Sequence, residues 1–462
     1  MKYTLVLLLL SILSQTANCE KRHIPSESDM AAYLMVYHKD NTHSLHMAIS
    51  HDGYTFTALN DDKPVVKADT IASQKGIRDP HIFRGPDGAF YVAMTDLHLF
   101  AQRLGYRDTR WERDEKYGWG NNRGLVLMKS WDLINWQHHD ILFTEVFDMD
   151  NIGCVWAPEI TYDEEKGEIM LHCTMRFDGG PNALYYTYVN EDFDSLEMKP
   201  QLLFQYPNEK INAIDSDIIK FGDQYILAYV AHDGTGGIKF ARSNHANGPF
   251  EYDPRWYDLE PGACEAPNIW KRIGENKWVM MYDIFSITPH NFGFIETEDF
   301  VNFKDLGHFN EGVMKTTNFT SPKHGAVVHI TADEARKLEE YWNNKGTIAS
   351  LSNNIFDIVT GTTDGEKAYL RLPRDAEKVN AILYTHQNMT EEVLFRSPFF
   401  TNYMDSLGVA MAFIQQGSQN WDIKEGCQER FENIIQDFAL SSGHPEIATA
   451  PIIPFGHSAQ AT

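Results

Sequence analysis

Two short patterns recur in step along the first 335 residues, and they constrain the fold more than any other feature of the chain. The first is a polar turn with a hydrophobic anchor: "SHDGYTF" (50–56), "SWDLINW" (130–136), "NEDFDSL" (190–196) and "TEDFVNF" (297–303), with a looser relative, "SNHANGPF", at 243–250. Ser, Thr or Asn followed by Asp and an aromatic anchor is turn chemistry between two strands. The second series opens strands: "RDPHIF" (78–83), "APEITY" (157–162), "IDSDII" (214–219), "EAPNIW" (265–270) and "KHGAVVHI" (323–330). Four of these lead through a short turn to another apolar strand: "AFYVAMT", "EIMLHCT", "QYILAYV" and "KWVMMYD". Openers spaced by about 50 to 80 residues suit one four-stranded propeller blade each.

Five openers imply five blades, yet "KHGAVVHIT" is followed by a charged, helix-like "ADEARKLEEYW" rather than by more strands. Strands to complete the fifth blade are available at the N-terminus, in "AYLMVYH", "LHMAIS" and "FTAL". A ring closed by both chain ends removes the free edges that a sheet must otherwise protect. The fold expected for residues 28–335 is therefore an all-β, five-bladed propeller.

The innermost strand of each blade lines the axis, so the openers converge at one mouth of the channel. They carry Asp79, Glu159, Asp215, Glu265 and His324. Taken singly, Asp-Pro and Glu-Ala-Pro are ordinary loop-to-strand junctions. What points to chemistry is that several blades place an acid at one point of the repeat. Clustered carboxylates repel in a poorly solvated site, and their pKa values separate. One then serves as a base while another holds a proton, the division of labour that hydrolysis of a glycosidic bond requires.

In family order, "IRDPHIF", "VWAPEI", "AIDSDII", "CEAPNIW" and "KHGAVVHIT" resemble glycoside hydrolase family 43 across residues 28–335. The resemblance implies a secreted five-bladed propeller that cleaves arabinose- or xylose-containing glycans with inversion. Asp79 matches the general base and Glu265 the general acid. Asp215 matches the carboxylate that orients the acid and tunes its pKa. Asp217 competes for that third role, being on the same face of the strand, but Asp215 lies nearer the strand start and is preferred. His324 matches a histidine near the axis, which in the family often contacts an ion or water and is here equally readable as a satisfied core histidine. The resemblance requires no cofactor and leaves room for a single calcium ion in the channel. Glu159 is read as scaffold beside the site, and Trp156 as a sugar-stacking residue or as packing between blades. The insertion "LHLFAQRLGYRDTRWERDEKYGWGNNRG" (97–124) is expected to lie over the pocket mouth and to select the sugar. A non-catalytic glycan-binding propeller is the competing reading.

From about residue 346 strands and helices alternate. "VNAILYTH" and "VAMAFIQ" read as strands, and "EEVLFRSPFFTNYMDSLG" as a helix. In "CQERFENIIQDFAL", Phe431, Ile434, Ile435 and Phe438 share one helical face. After "APIIPF", Gly456-His457-Ser458 resembles the nucleophile turn of an α/β-hydrolase, and "THQNM" (385–389) its oxyanion loop. The triad acid and histidine that should follow the serine are absent from 459–462. Residues 346–462 are therefore expected to be the first part of such a domain, a fragment of a longer two-enzyme protein, with Ser458 inactive.

The start, "MKYTLVLLLLSILSQTANCEKR", reads as a secretory signal peptide over residues 1–19, with lipidation of Cys19 the less favoured alternative. This points to a secreted or periplasmic protein without a membrane span. A net charge of −25 disfavours nucleic acid as a partner. Cys154, Cys173, Cys264 and Cys427 show no metal spacing and are expected to be free, buried thiols.

Overall fold

In a computed structural model, the structure describes residues 24–234, 237–343, 357–361, 367–374, 378–386, 394–395, 397–414 and 427–456. The expected signal peptide, Cys19, Ser458 and most of the "THQNM" loop lie outside the described residues. The chain divides into two compact units, Met1–Leu338 and Glu339–Thr462.

The first unit is a propeller of five blades, antiparallel except where the short edge strand Lys315–Thr316 pairs parallel with Thr55–Ala58. The first four follow one another in sequence. Their innermost strands are Ile77–Arg84, Ile152–Asp163, Ala213–Phe221 and Glu265–Lys271. In the fifth blade the innermost strand, Lys323–Thr331, pairs antiparallel with Met30–His38, and Leu45–Ser50 and Thr55–Ala58 follow outward. The N-terminal strands thus complete the ring, as the unpaired "KHGAVVHIT" required. Strands buried from end to end, such as Phe90–Asp96 and Leu45–Ser50, explain the long apolar runs in the sequence.

The turn repeat works through its aspartate. Asp52 Oδ1 accepts the N–H groups of Tyr54 and Thr55, Asp132 Oδ1 those of Ile134 and Asn135, and Asp299 Oδ1 those of Val301 and Asn302. In the 190–196 copy the role moves to Asn190, whose Oδ1 accepts from Asp194 and Ser195. Asn190 stands at the first position of the repeat, where Ser50, Ser130 and Thr297 stand in the other copies, and its amide oxygen meets the same two N–H groups from two residues further back.

Each inner strand carries a register shift at its mouth end. One residue there turns to positive φ: Asp79 (50°), Ala157 (43°), Asp215 (50°), Ala266 (53°) and His324 (34°). This is a β-bulge repeated in every blade, and none of the five is glycine. A bulged residue loses its partner in the ladder, so its buried N–H needs another acceptor. In every case the preceding blade supplies it. Asp79 donates to His38 Nδ1 at 3.1 Å, Ala157 to Thr95 Oγ1 at 2.9 Å, Asp215 to Thr174 Oγ1 at 2.9 Å and His324 to Asp283 Oδ2 at 3.2 Å. Ala266 donates to the carboxylate of Asp215. Two residues further in, His81 Nδ1, Asp217 Oδ2 and Asn268 Oδ1 accept the N–H groups of Ile160, Ile269 and Val327 in the same sense.

This repeat corrects the sequence alignment of the openers. Glu159 sits two residues past its bulge, equivalent to His81, Asp217 and Asn268, and Glu265 sits one residue before its own. The five residues read as equivalent therefore occupy three levels of the channel. Pro80, Pro158 and Pro267 each directly follow the bulge residue and hold the true phase, which superposing Asp-Pro, Ala-Pro-Glu and Glu-Ala-Pro by their acids shifts.

The second unit holds a mixed five-stranded sheet. Its spatial order is Ile358–Gly361, Lys367–Arg371, Val409–Ile414, Ala381–His386, Ile452–Phe455, the last three being parallel. Val409–Ile414 is buried throughout. Its alternate residues enter two cores: Ala410, Ala412 and Ile414 with Ile434, Ile435 and Phe438, and Val409, Met411 and Phe413 with Met404. Helices Cys427–Ser442 and Pro398–Leu407 thus cover opposite faces. The second helix is shorter than the sequence suggested. It starts at Pro398 behind the Ser397 cap and stops at Gly408 in the left-handed conformation. Cys154, Cys173 and Cys264 are free and buried. Among the described residues no helix is long and apolar enough to cross a membrane.

Asn268→Leu keeps the branching and heavy-atom count of the side chain but leaves the buried Val327 N–H without its acceptor. The expected loss of stability is about 1–3 kcal/mol, read as a lower urea midpoint with an unchanged slope.

Candidate active site

At the mouth, the bulges of the first, third and fifth blades present Asp79, Asp215 and His324, and Glu265 joins them from the fourth. Positive φ turns these side chains off the normal alternation of the strand, so they meet over the axis. The sequence-predicted residues Asp79, Asp215, Glu265 and His324 are therefore brought together. His324 stands at their centre, with Nδ1 3.2 Å from Asp79 Oδ1, and Nε2 3.0 Å from Glu265 Oε1 and 3.8 Å from Asp215 Oδ2. Asp79 and Asp215 are 9% and 5% exposed.

Burial alone would strip His324 of its charge, but the carboxylates of Asp79, Asp215 and Glu265 outweigh it and raise its pKa to about 10. Burial also pushes Glu265 upward. The hydrogen bond and charge of His324, with Lys323 and Arg78 behind it, reverse that and hold Glu265 at about 2. Asp215 goes the other way, to about 7, because burial and the charges of Glu265 and Asp79 exceed the help from His324. The carboxylates do separate, but in the free protein Glu265, the residue matched to the acid, is the one held low and Asp215 the one raised. The proton of Glu265 resides on the imidazole in contact with it.

Several neighbours escaped the sequence reading. Thr95 Oγ1 donates to Asp79 Oδ2 at 2.7 Å while accepting the Ala157 N–H, so its single proton is committed to Asp79. Lys323 Nζ lies 3.4 Å from Asp283 and 3.7 Å from Glu265, and Arg78 Nη1 bonds Asp40 at 2.7 Å. Arg78 and Lys323 were visible only as the residues preceding Asp79 and His324. Thr95, His38 and Asp283 come from second strands, where nothing but their polarity in apolar runs marked them.

Asp217 and Glu159 are not part of this cluster. They form a deeper level with His81, whose Nε2 is 3.0 Å from Glu159 Oε2. Burial first, then the nearby carboxylates, raises Glu159 well above the carboxylate range, and burial lifts Asp217 to about 7. Asp217 spends Oδ2 on the Ile269 N–H, which resolves the choice between 215 and 217 for a place beside His324. Trp156 lies beside the mouth, with Nε1 donating to Gly120 O at 3.0 Å.

Two trios place one donor atom each within 4.8 Å of one another: Asp215, Glu265 and His324, and His81, Glu159 and Asp217. Neither fits a divalent cation as arranged. His324 Nε2 is hydrogen-bonded to Glu265 Oε1, and the second proton of the charged ring is on Nδ1, 3.2 Å from Asp79 Oδ1 without hydrogen-bond alignment. His81 Nδ1 accepts the Ile160 N–H, which leaves the proton on Nε2, turned to Glu159. Neither ring offers a lone pair to a metal.

The fold and site define a five-bladed propeller with an acidic cluster at the axial mouth. Residues 28–336 match the family described as "Probable glycosyl hydrolase domain", a group related to glycosyl hydrolase family 43. The chain belongs to this family. No curated protein matches it. Similar solved structures include an arabinanase from Bacillus subtilis (18% identity, 51% of this chain and 75% of that one, TM-score 0.35). Others are an α-L-arabinofuranosidase from Clostridium thermocellum (14%, 61% and 84%, 0.40) and an endo-1,4-β-xylanase from Bacteroides thetaiotaomicron (13%, 64% and 93%, 0.41). At these TM-scores the likenesses add nothing to the family match.

Folding raises the pKa of His324 from 6.5 to about 10. A raised folded-state value means that its stabilisation is complete below about pH 6.5 and is lost as pH rises towards 10. Chemical denaturation across that window should show the decline in the wild type and a flatter profile in His324→Asn.

Proposed function

We propose that the propeller is an inverting glycosidase acting on arabinose- or xylose-containing plant polysaccharides, as an exo α-L-arabinofuranosidase or β-xylosidase. The observation that carries this reading is the cluster of three carboxylates around one imidazolium at the mouth of a propeller in a glycosyl hydrolase family. Asp79, fixed by the Thr95 hydroxyl, takes a proton from water as its oxygen attacks the anomeric carbon. The glycosidic bond breaks, and the leaving oxygen takes a proton from the Glu265–His324 pair. In the free protein that proton is on His324. As the leaving oxygen settles and excludes water, the ion pair collapses and the proton passes through Glu265. The pair thus gives one proton and Asp79 gains one, and solvent restores both. Asp215 keeps the imidazole between base and acid.

The imidazole ring stands between Asp79 and Glu265 with contacts of 3.2 and 3.0 Å on its two sides. The steps run through side chains alone, so no cofactor is required. A leader over residues 1–19 would export the protein to where such glycans lie.

For the second unit the reading is the first part of an α/β-hydrolase domain. Three parallel strands with a helix on each face support it, as does Ser458 placed just past the strand Ile452–Phe455.

Aryl α-L-arabinofuranoside and aryl β-D-xyloside should identify the sugar. Asp79→Asn and Glu265→Gln should then each lose about 10²–10⁴-fold in rate, and proton NMR of the first product should show the inverted anomer. Wild-type rates in both variants would overturn the assignment. Chelator should leave the wild-type rate unchanged.

A further inference from the structure

We infer that Trp119 is a platform for a second sugar ring of an oligosaccharide, outside the ring held by the carboxylates. The inference rests on the glycosidase reading and extends it to a residue in the 97–124 insertion. Trp119 is 58% exposed, a large apolar surface left in water. A single exposed tryptophan is unremarkable on any protein surface, so its place and its rigidity have to carry the argument.

The place follows from chain direction. The strand Ile77–Arg84 runs away from the mouth, and Phe90–Asp96 returns to it, with Asp96 paired opposite Ile77. The insertion leaves from Asp96 and re-enters at Gly124, so it is built on the mouth face. Trp131, also exposed, sits in the turn at the other end of the same blade.

Three tryptophans then step upward from the site. Trp156 directly precedes the bulge residue Ala157, whose N–H binds the same Thr95 hydroxyl that holds Asp79. Trp119 meets Trp156 edge to face at 5.8 Å, and the buried Trp111 meets Trp119 at 5.7 Å. The exposed ring is therefore joined to Asp79 through Trp156, the Ala157 backbone N–H and the Thr95 hydroxyl.

The mount is rigid. Arg176 donates Nε to Tyr117 O at 3.0 Å and Nη2 to Trp119 O at 2.8 Å, and its Nη1 is tied to Asn182 Oδ1 at 3.2 Å. The same guanidinium lies 4.9 Å from the centre of the Trp156 ring. Gly120 lets the chain turn under Trp156 at φ 63°, where a Cβ would come within 3.2 Å of that ring. A flat aromatic face held in water beside a cluster that cleaves glycosidic bonds suits the axial C–H face of a sugar. A pre-ordered ring binds without an entropic penalty for its own ordering.

The test compares two substrates of the accepted sugar. An oligosaccharide fills both positions, whereas the monosaccharyl fluoride has no second ring to lose. Trp119→Ala should lower kcat/KM on the oligosaccharide roughly ten- to hundredfold, about the effect of one aromatic stacking contact, and leave the fluoride within twofold. Trp119→Phe should recover part of the loss and guards against a folding failure of the alanine variant. Trp131→Ala should match the wild type on both substrates. Equal losses on the two substrates, or none on the oligosaccharide, would overturn the platform while leaving the glycosidase intact. A wild-type protein that cleaves neither substrate would instead remove the reading on which the platform rests.

Discussion

Everything at the mouth of this propeller depends on one repeated hydrogen bond: a bulged backbone N–H on each inner strand, caught by a side chain of the preceding blade. The bulge makes the residue leave the ladder, and the ladder can no longer satisfy it. A buried, unpaired N–H is too unfavourable to leave alone, so the next blade must dock in one register. The acceptors differ in kind, His38, Thr95, Thr174, Asp215 and Asp283, but they perform the same task. Blade docking and site assembly are consequently one event. Thr95 shows this most directly, because the oxygen that latches the second blade carries the proton that holds Asp79.

The second organising force is charge. Buried carboxylates so close repel and tend to protonate, and a single imidazolium among them reverses this for Glu265 but not for Asp215. The result is an asymmetric distribution, with Glu265 ionised and Asp215 raised. Lys323 and Arg78 add positive charge from behind Glu265. Below this level, Glu159 and Asp217 have no cation of their own and are raised. Two tiers of acids in one channel thus behave differently because only the upper one contains a histidine that is charged. His81 cannot take that part, since its Nδ1 is already occupied by a backbone N–H.

The blade count and the borrowed N-terminal strands were legible in the sequence, because turns and openers repeat with local chemistry that does not need the rest of the fold. So were Asp79, Asp215, Glu265 and His324 as a group. The levels within the channel were not. A proline follows the bulge in three blades, but alignment by the acids overrides that mark, and Ala157 and Ala266 occupy positive φ where a glycine would have announced it. The partners Thr95, Thr174 and Asp283 were hidden for a related reason. They matter through contacts with a neighbouring blade, and no pattern within their own strand records that.

The borrowed strands also set the order in which the protein can come into being. Residues 30–38 are made first, yet their inner partner, 323–331, is made only after four blades have been completed. Until then His38 has nothing to hold it against the axis, and Asp79 lacks both its latch from behind and the imidazole in front. A chain emerging N-terminus first therefore passes through a long stage of well-formed sheets without a working centre. The proposed centre is complete only when the ring shuts, so a product that stops short of the fifth blade lacks the histidine around which its carboxylates gather.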